Sequence, residues 1–191
     1  MAGYGRSMPT KYNRTAIVLH WLIAFLIAVN VALALSVDAF PDSMARPIID
    51  THKSVGITVL GLALLRLLWR ASYRPPPLPE SYPRWERFGA HAAHAGLYVL
   101  IVALPLSGWM HDSAWNAAAT HPMRLFNLVP WPRIGLIAGL DPAKKEVLHG
   151  LFGQLHTALG YALYGLFFLH LAGALKHQLI DREPEIQRML P

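Results

Sequence analysis

His156 and His170 stand fourteen residues apart inside an uncharged stretch that runs from Val147 to Leu175. At 100° and 1.5 Å per residue, this interval places both imidazoles within about 40° of one helix face and about 21 Å apart along it. An ionisable ring in hydrocarbon is costly without a partner, so the spacing points to two ligand sites stacked across a bilayer. The chain has no cysteine, which excludes thiolate ligands, disulfides and cysteine-held iron–sulfur clusters. Metal chemistry here has to rest on histidine.

The elements that would position these rings are legible as apolar runs. The composition is 54% hydrophobic and 15% charged, and Thr15–Val37, Phe88–His111 and Val147–Leu175 are each long enough to cross a hydrocarbon core about 30 Å thick. A fourth run begins at His52 and reaches Trp69 and Arg70 if Arg66 snorkels to an interface. The expectation is an all-α, integral membrane four-helix bundle forming a single domain over residues 1–191. Its helices fall at about 15–37, 52–70, 88–111 and 147–177. The first run is too long for a cleaved signal peptide and is followed by Asp38, so it is expected to stay as a helix.

Charge sets the orientation. Arg6, Lys11 and Arg14 precede the first span, Arg66, Arg70, Arg74, Arg84 and Arg87 cluster between the second and third, and Lys176, Arg182 and Arg188 follow the fourth. Arg46, Lys53, Arg124, Arg133, Lys144 and Lys145 lie on the other side. The positive-inside rule then places both termini in the cytoplasm and the long 112–146 loop in the periplasm. Because the basic residues flank apolar spans instead of forming one stripe, the net charge of +6 does not indicate a nucleic-acid partner. Membrane lipid is the expected surround. The prolines at 75–77 and 79 break the middle connection, whereas Trp115, Trp131 and four prolines in the 112–146 loop favour a folded cap over a tether.

Depth then pairs the histidines. His20 lies in the first two turns of an ascending helix, His52 opens a descending one, and the last span carries His156 near the periplasm and His170 deeper. His20 therefore matches His170, and His52 matches His156. Two imidazoles saturate the axial positions of an iron porphyrin, which suits electron transfer. Gly56, Gly153 and Gly160 beside these ligands would keep the helix surface low for a flat macrocycle. Two hemes explain four histidines at matched depths. A histidine-lined metal or proton transporter and plain helix packing are the other readings, and the spans hold no acidic group for the former.

Four segments also resemble the bacterial cytochrome b561 family: Leu19–Leu22, Thr51–Ile57, Ala90–Tyr98 and Ala174–His177. The likeness covers all four spans, residues 12 to 190, and extends to a superoxide oxidase branch and a sister branch. It implies a diheme cytochrome of the bacterial inner membrane with two heme b groups. His20, His52, His156 and His170 would be the axial ligands. The superoxide oxidase branch implies superoxide as donor on the periplasmic side and ubiquinone as acceptor near the cytoplasm. On that reading Lys53, Lys144 and Lys145 would attract the anion, and His91, His94, Lys176 and His177 would face the quinone or a heme propionate. His111, His121 and His149 take surface roles. The alternative within the same chemistry is a cytochrome b subunit that links a separate periplasmic redox protein to the quinone pool.

Overall fold

The computed structural model describes residues 11–190, so Arg6 and the rest of the first ten residues lie outside the described part. Four long helices carry the chain: α1 Arg14–Ser36, α2 Asp42–Ser72, α3 Arg84–Ser113 and, after the short α4 Gly135–Ala138, α5 Pro142–Leu179. Each long helix is long and apolar enough to cross a membrane. The burial pattern has the sense expected in lipid, with Phe25, Leu68, Val99 and Phe168 pointing outward. Small residues instead fill the inside, where Ser54, Ala63, Ser107 and Ser113 are almost fully enclosed.

Local chemistry explains where the helices start. Asn13 caps α1, accepting from Ala16 N at 2.9 Å, and its side chain also accepts from Trp69 Nε1 at 3.0 Å. Asp141 caps α5 by accepting from Lys144 N at 3.0 Å, with Pro142 in the first turn, where a missing N–H does no harm. The apolar run marks where α2 enters hydrocarbon, but the helix itself begins at Asp42, ten residues before His52. The charged residues there prevent membrane burial without preventing helix formation. Arg46 and Asp50 form an i,i+4 pair at 3.1 Å across Pro47, and Arg46 also lies over the Trp115 ring. α5 likewise starts at Pro142, so the connection expected over 112–146 spans only 114–141.

That connection folds onto the end of the bundle. A two-stranded hairpin, β1 Arg124–Leu125 with β2 Val129–Pro130, turns through Phe126 and Asn127, both at positive φ. Phe126 N donates to the buried Ser54 hydroxyl at 2.9 Å, Ile134 N donates to Ser113 Oγ at 3.0 Å, and Trp109 Nε1 donates to Pro132 O at 2.9 Å. This is the cap end. At the opposite end Tyr12 N donates to Arg188 O, and Trp21 Nε1 donates to Met189 O at 2.6 Å, so the two ends of the described residues meet there. Arg188, buried, donates to Pro77 O at 2.6 Å and fastens the segment after α5 to the proline-rich connection.

The bundle is open along one side. α1 packs on α2, α2 on α3 and α3 on α5, but among the described residues α5 does not pack closely on α1 or α2. Across that cleft the rings of His20 and His52 face those of His170 and His156.

Candidate functional site

Two histidine pairs bridge the cleft. The His52 and His156 ring centres lie 6.0 Å apart at 84°, and those of His20 and His170 lie 6.4 Å apart at 74°. An imidazole nitrogen sits about 2 Å from a bound metal and its ring centre about 1.1 Å behind, so two rings on opposite sides of one ion are about 6.2 Å apart. Both pairs meet that spacing. His94 also lies beside His170, but at 5.2 Å its ring is too close to share an ion with it from the opposite side.

Second partners orient the cap-end pair. His52 Nδ1 donates to Asn30 O at 3.0 Å. His156 Nδ1 lies 3.1 Å from Leu104 O and 3.0 Å from Ser107 Oγ, whose own hydrogen goes to Leu104 O at 2.8 Å. Both Nδ1 atoms are therefore donors, and both Nε2 lone pairs are left for a metal, the usual arrangement behind ligating histidines. Asn30 Oδ1, a buried acceptor with no donor, lies on the same α1 residue. The pair at the other end matches in spacing, but His20 differs in tautomer. Arg66 Nη1 donates to His20 Nδ1 at 2.9 Å and Arg66 Nε to the Tyr98 hydroxyl at 3.0 Å, so His20 must exchange that partner before its Nε2 is free to ligate. Snorkelling, the role expected of Arg66, is thus replaced by a side-chain contact inside the bundle.

The residues present fit an iron porphyrin. The cleft is bounded by helix backbones that do not approach, the ring spacing suits bis-histidine ligation, and the cap-end donors have the correct tautomer. The glycines fit in part. A Cβ at Gly160 would meet nothing within 4 Å, which leaves the surface open, whereas one at Gly153 would lie 3.0 Å from His111 Cε1. Gly153 therefore makes room for a histidine. The sequence signal missed Gly108, where a Cβ would lie 3.2 Å from His156 Cε1.

Residues 11–191 match the profile described as prokaryotic cytochrome b561. The chain belongs to that family. Among similar proteins, the Escherichia coli (strain K12) cytochrome b561 homolog 2 is 31% identical over 95% of this chain and 92% of its own length. Homolog 1 of the same organism is 24% identical over 95% and 97%. A protein of Yersinia pestis called probable superoxide oxidase CybB is 26% identical over 96% and 98%. This cytochrome is accordingly a multi-pass bacterial membrane protein with a heme b cofactor, an oxidoreductase that moves electrons across the membrane.

The cytochrome places its other expected site residues unevenly. Lys53, beside His52, is engaged: its ammonium donates to Asp112 at 2.6 Å and to Asp50 at 3.4 Å. Lys144 is exposed and paired with Asp141 at 3.0 Å, while Lys145 has no carboxylate partner among the described residues. His91 is exposed at the start of α3, and His94 points to the His20/His170 level. Lys176 bridges Glu86 at 2.6 Å and Asp181 at 2.9 Å. His177 stacks on Tyr82, with ring centres 3.9 Å apart, and donates from Nδ1 to Asp181 at 2.7 Å.

Two features were not legible as site elements. Asp112, only 4% exposed, joins Lys53 to Arg133 at 2.9 Å, and Arg133 in turn holds the cap through Ala118 O and His121 O. His111 and His149, expected at the surface, stack at 3.8 Å and each hydrogen-bonds the other's carbonyl oxygen through Nδ1. They cross-link α3 to α5 beside an open groove of about 520 Å³.

Proposed function

We propose that this single transmembrane unit, set in the inner membrane with both termini cytoplasmic, holds two b hemes and passes electrons from superoxide on the cap side to ubiquinone at the termini side. His52 and His156 would hold the heme near the cap, and His20 and His170 the other. The support is the matched spacing of two imidazole pairs across a cleft that no backbone fills. When bound, a heme with two imidazole ligands supplies a one-electron couple with no open iron position.

The protein's own groups do the rest. Asn30 O, Leu104 O and Ser107 Oγ fix the ring orientation and keep both cap-end Nε2 atoms unprotonated. The cap covers the bundle end, and Lys145 and Arg124, which lack carboxylate partners among the described residues, are the cations left there to draw in a small anion. Similarity to a probable superoxide oxidase supports this donor.

One observation favours the second reading, a cytochrome subunit served by a separate periplasmic redox protein. Lys53 and Lys144 are neutralised by Asp112 and Asp141, so the field above the outer pair is weaker than the count of lysines implies. Stopped-flow reduction of oxidised protein by a superoxide source separates the two. Fast reduction abolished by dismutase supports superoxide as donor, whereas reduction indifferent to dismutase refutes it. A colourless purified protein without a b-type spectrum would refute both.

A further inference from the structure

At the termini end, beyond His170, Glu86 in the first turn of α3 meets the end of α5. Its side chain is 9% exposed. One carboxylate oxygen, Oε1, accepts from Lys176 at 2.6 Å, while the other, Oε2, is buried and has no hydrogen-bond donor. Oε2 faces His177 Nε2 at 3.7 Å, which is too long for a hydrogen bond. Nδ1 of the same ring donates to Asp181, so Nε2 carries a lone pair. Two acceptors thus face each other with nothing to share between them.

A missing cation does not explain the gap. Glu86, His177 and Asp181 bring donor atoms within 4.8 Å of one another, but the Lys176 ammonium already sits between the two carboxylates. A single proton between Oε2 and Nε2 would serve both atoms. The remaining surroundings favour one passing through. Tyr82 stacks on the His177 ring at 10° and is anchored by donating to Glu185 at 2.8 Å, which fixes the direction of Nε2. Asp181 reaches solvent, and a groove of about 300 Å³ that includes Glu183 opens onto the cluster. The groups facing Glu86 and His177 are therefore Lys176 from α5, Asp181 and Glu183 from the segment after it, and Tyr82 from the segment before α3. His177 is one heptad from His170, about 10 Å along the same helix face.

We propose that His177 and Glu86 form a proton relay, positioned by Asp181, that supplies the protons taken up by a quinone-type acceptor as it is reduced. The inference rests on the acceptor reading above. Reduction of a quinone to a quinol consumes two electrons, delivered singly along the histidine spine, and two protons, one for each carbonyl oxygen. For each proton, His177 Nε2 binds one from water, Asp181, which lines the groove, stabilises the imidazolium through Nδ1, and the proton moves to Glu86 Oε2 and on to the acceptor oxygen. Lys176 keeps both carboxylates in register while this happens.

The test uses purified holoprotein reduced with dithionite, freed of excess reductant and mixed with short-chain ubiquinone or with ferricyanide, which takes an electron without a proton. Glu86→Gln keeps the shape and the Lys176 contact but cannot carry a proton. It is expected to slow reoxidation by quinone at least about tenfold at an unchanged half-saturating concentration, with a changed solvent isotope effect, and to leave reoxidation by ferricyanide at the wild-type rate. Asp181→Asn should show the same pattern more weakly and carries the test if E86Q does not accumulate as holoprotein. The exposed Glu80→Gln should match wild type with both oxidants. Wild-type quinone rates in both E86Q and D181N would overturn the relay. Equal slowing with both oxidants would overturn it too, by assigning Glu86 a structural role. A wild-type protein oxidised by ferricyanide but not by quinone would instead overturn the acceptor reading.

Discussion

Lys53 donates to Asp112 at 2.6 Å and so ties the residue beside His52 to the last turn of α3. Asp112 is the shared anion of two cations from distant segments, Lys53 and Arg133. Removing it leaves Arg133 without a carboxylate and Lys53 with only Asp50 at 3.4 Å, and breaking a buried pair in this way typically costs about 3–5 kcal/mol. Asp112→Ala is expected to lower the thermal unfolding midpoint and to loosen the cap, with Asp112→Asn intermediate. Differential scanning fluorimetry and limited proteolysis over residues 114–141 check both effects. An unchanged midpoint for D112A would show that the network contributes no stability.

Heme stoichiometry tests the histidine pairs. Replacing His52 or His156 by alanine is expected to remove about half of the bound heme, and replacing His20 or His170 the other half, as read by alkaline pyridine absorbance per chain. His94→Ala should retain all of it, because its ring lies too close to His170 for opposite ligation. Loss in H94A together with full retention in H20A would exchange their roles.

The glycines give a steric test. At Gly108 an added Cβ lies 3.2 Å from His156 Cε1, so Gly108→Val is expected to displace that ring at a cost of about 1–3 kcal/mol and to lower occupancy of the cap-side site. Gly61→Ala, where nothing lies within 4 Å, serves as the tolerated control. Resonance Raman or low-temperature optical spectra resolve the two sites. A wild-type spectrum in G108V would show that His156 has room to spare.

The start of α5 is expected to depend on pH. The hydrogen bond from Lys144 N, followed by that from its side chain, holds the Asp141 carboxyl below its ordinary range. A carboxyl with a lowered folded-state pKa stabilises the fold above its unfolded value, and the benefit is lost as pH falls through the folded value. Amide hydrogen exchange at residues 143–146 should therefore accelerate below the ordinary carboxylate range in the wild type, after correction for intrinsic rates. Asp141→Asn, which retains a capping oxygen, should flatten this dependence.

The pairing of His20 with His170 and of His52 with His156 was legible because helix rise and span direction set depth, and depth alone brings these rings to matching levels. What lies beside them was not. Lys53 reads as a free cation because Asp112, its partner, is 59 residues away and looks like an ordinary charge at the end of an apolar run. Arg66 reads as a snorkelling residue because nothing local signals that His20 and Tyr98 lie across from it. The early start of α2 was hidden because charge and Pro47 argue against hydrocarbon, and a helix need not end where the hydrocarbon does. His111 and His149 stack only because α3 and α5 run side by side, a neighbour relation that spacing within one helix does not carry.

α5 carries one member of each pair, while the partners come from α1 and α2, which it does not closely touch. The interval between the two levels is consequently written into a single covalent rod. Tilting or sliding of α1 and α2 in bilayers of different thickness would alter how well each ring faces its mate, yet it would leave the gap between the levels as constant as the pitch of one helix.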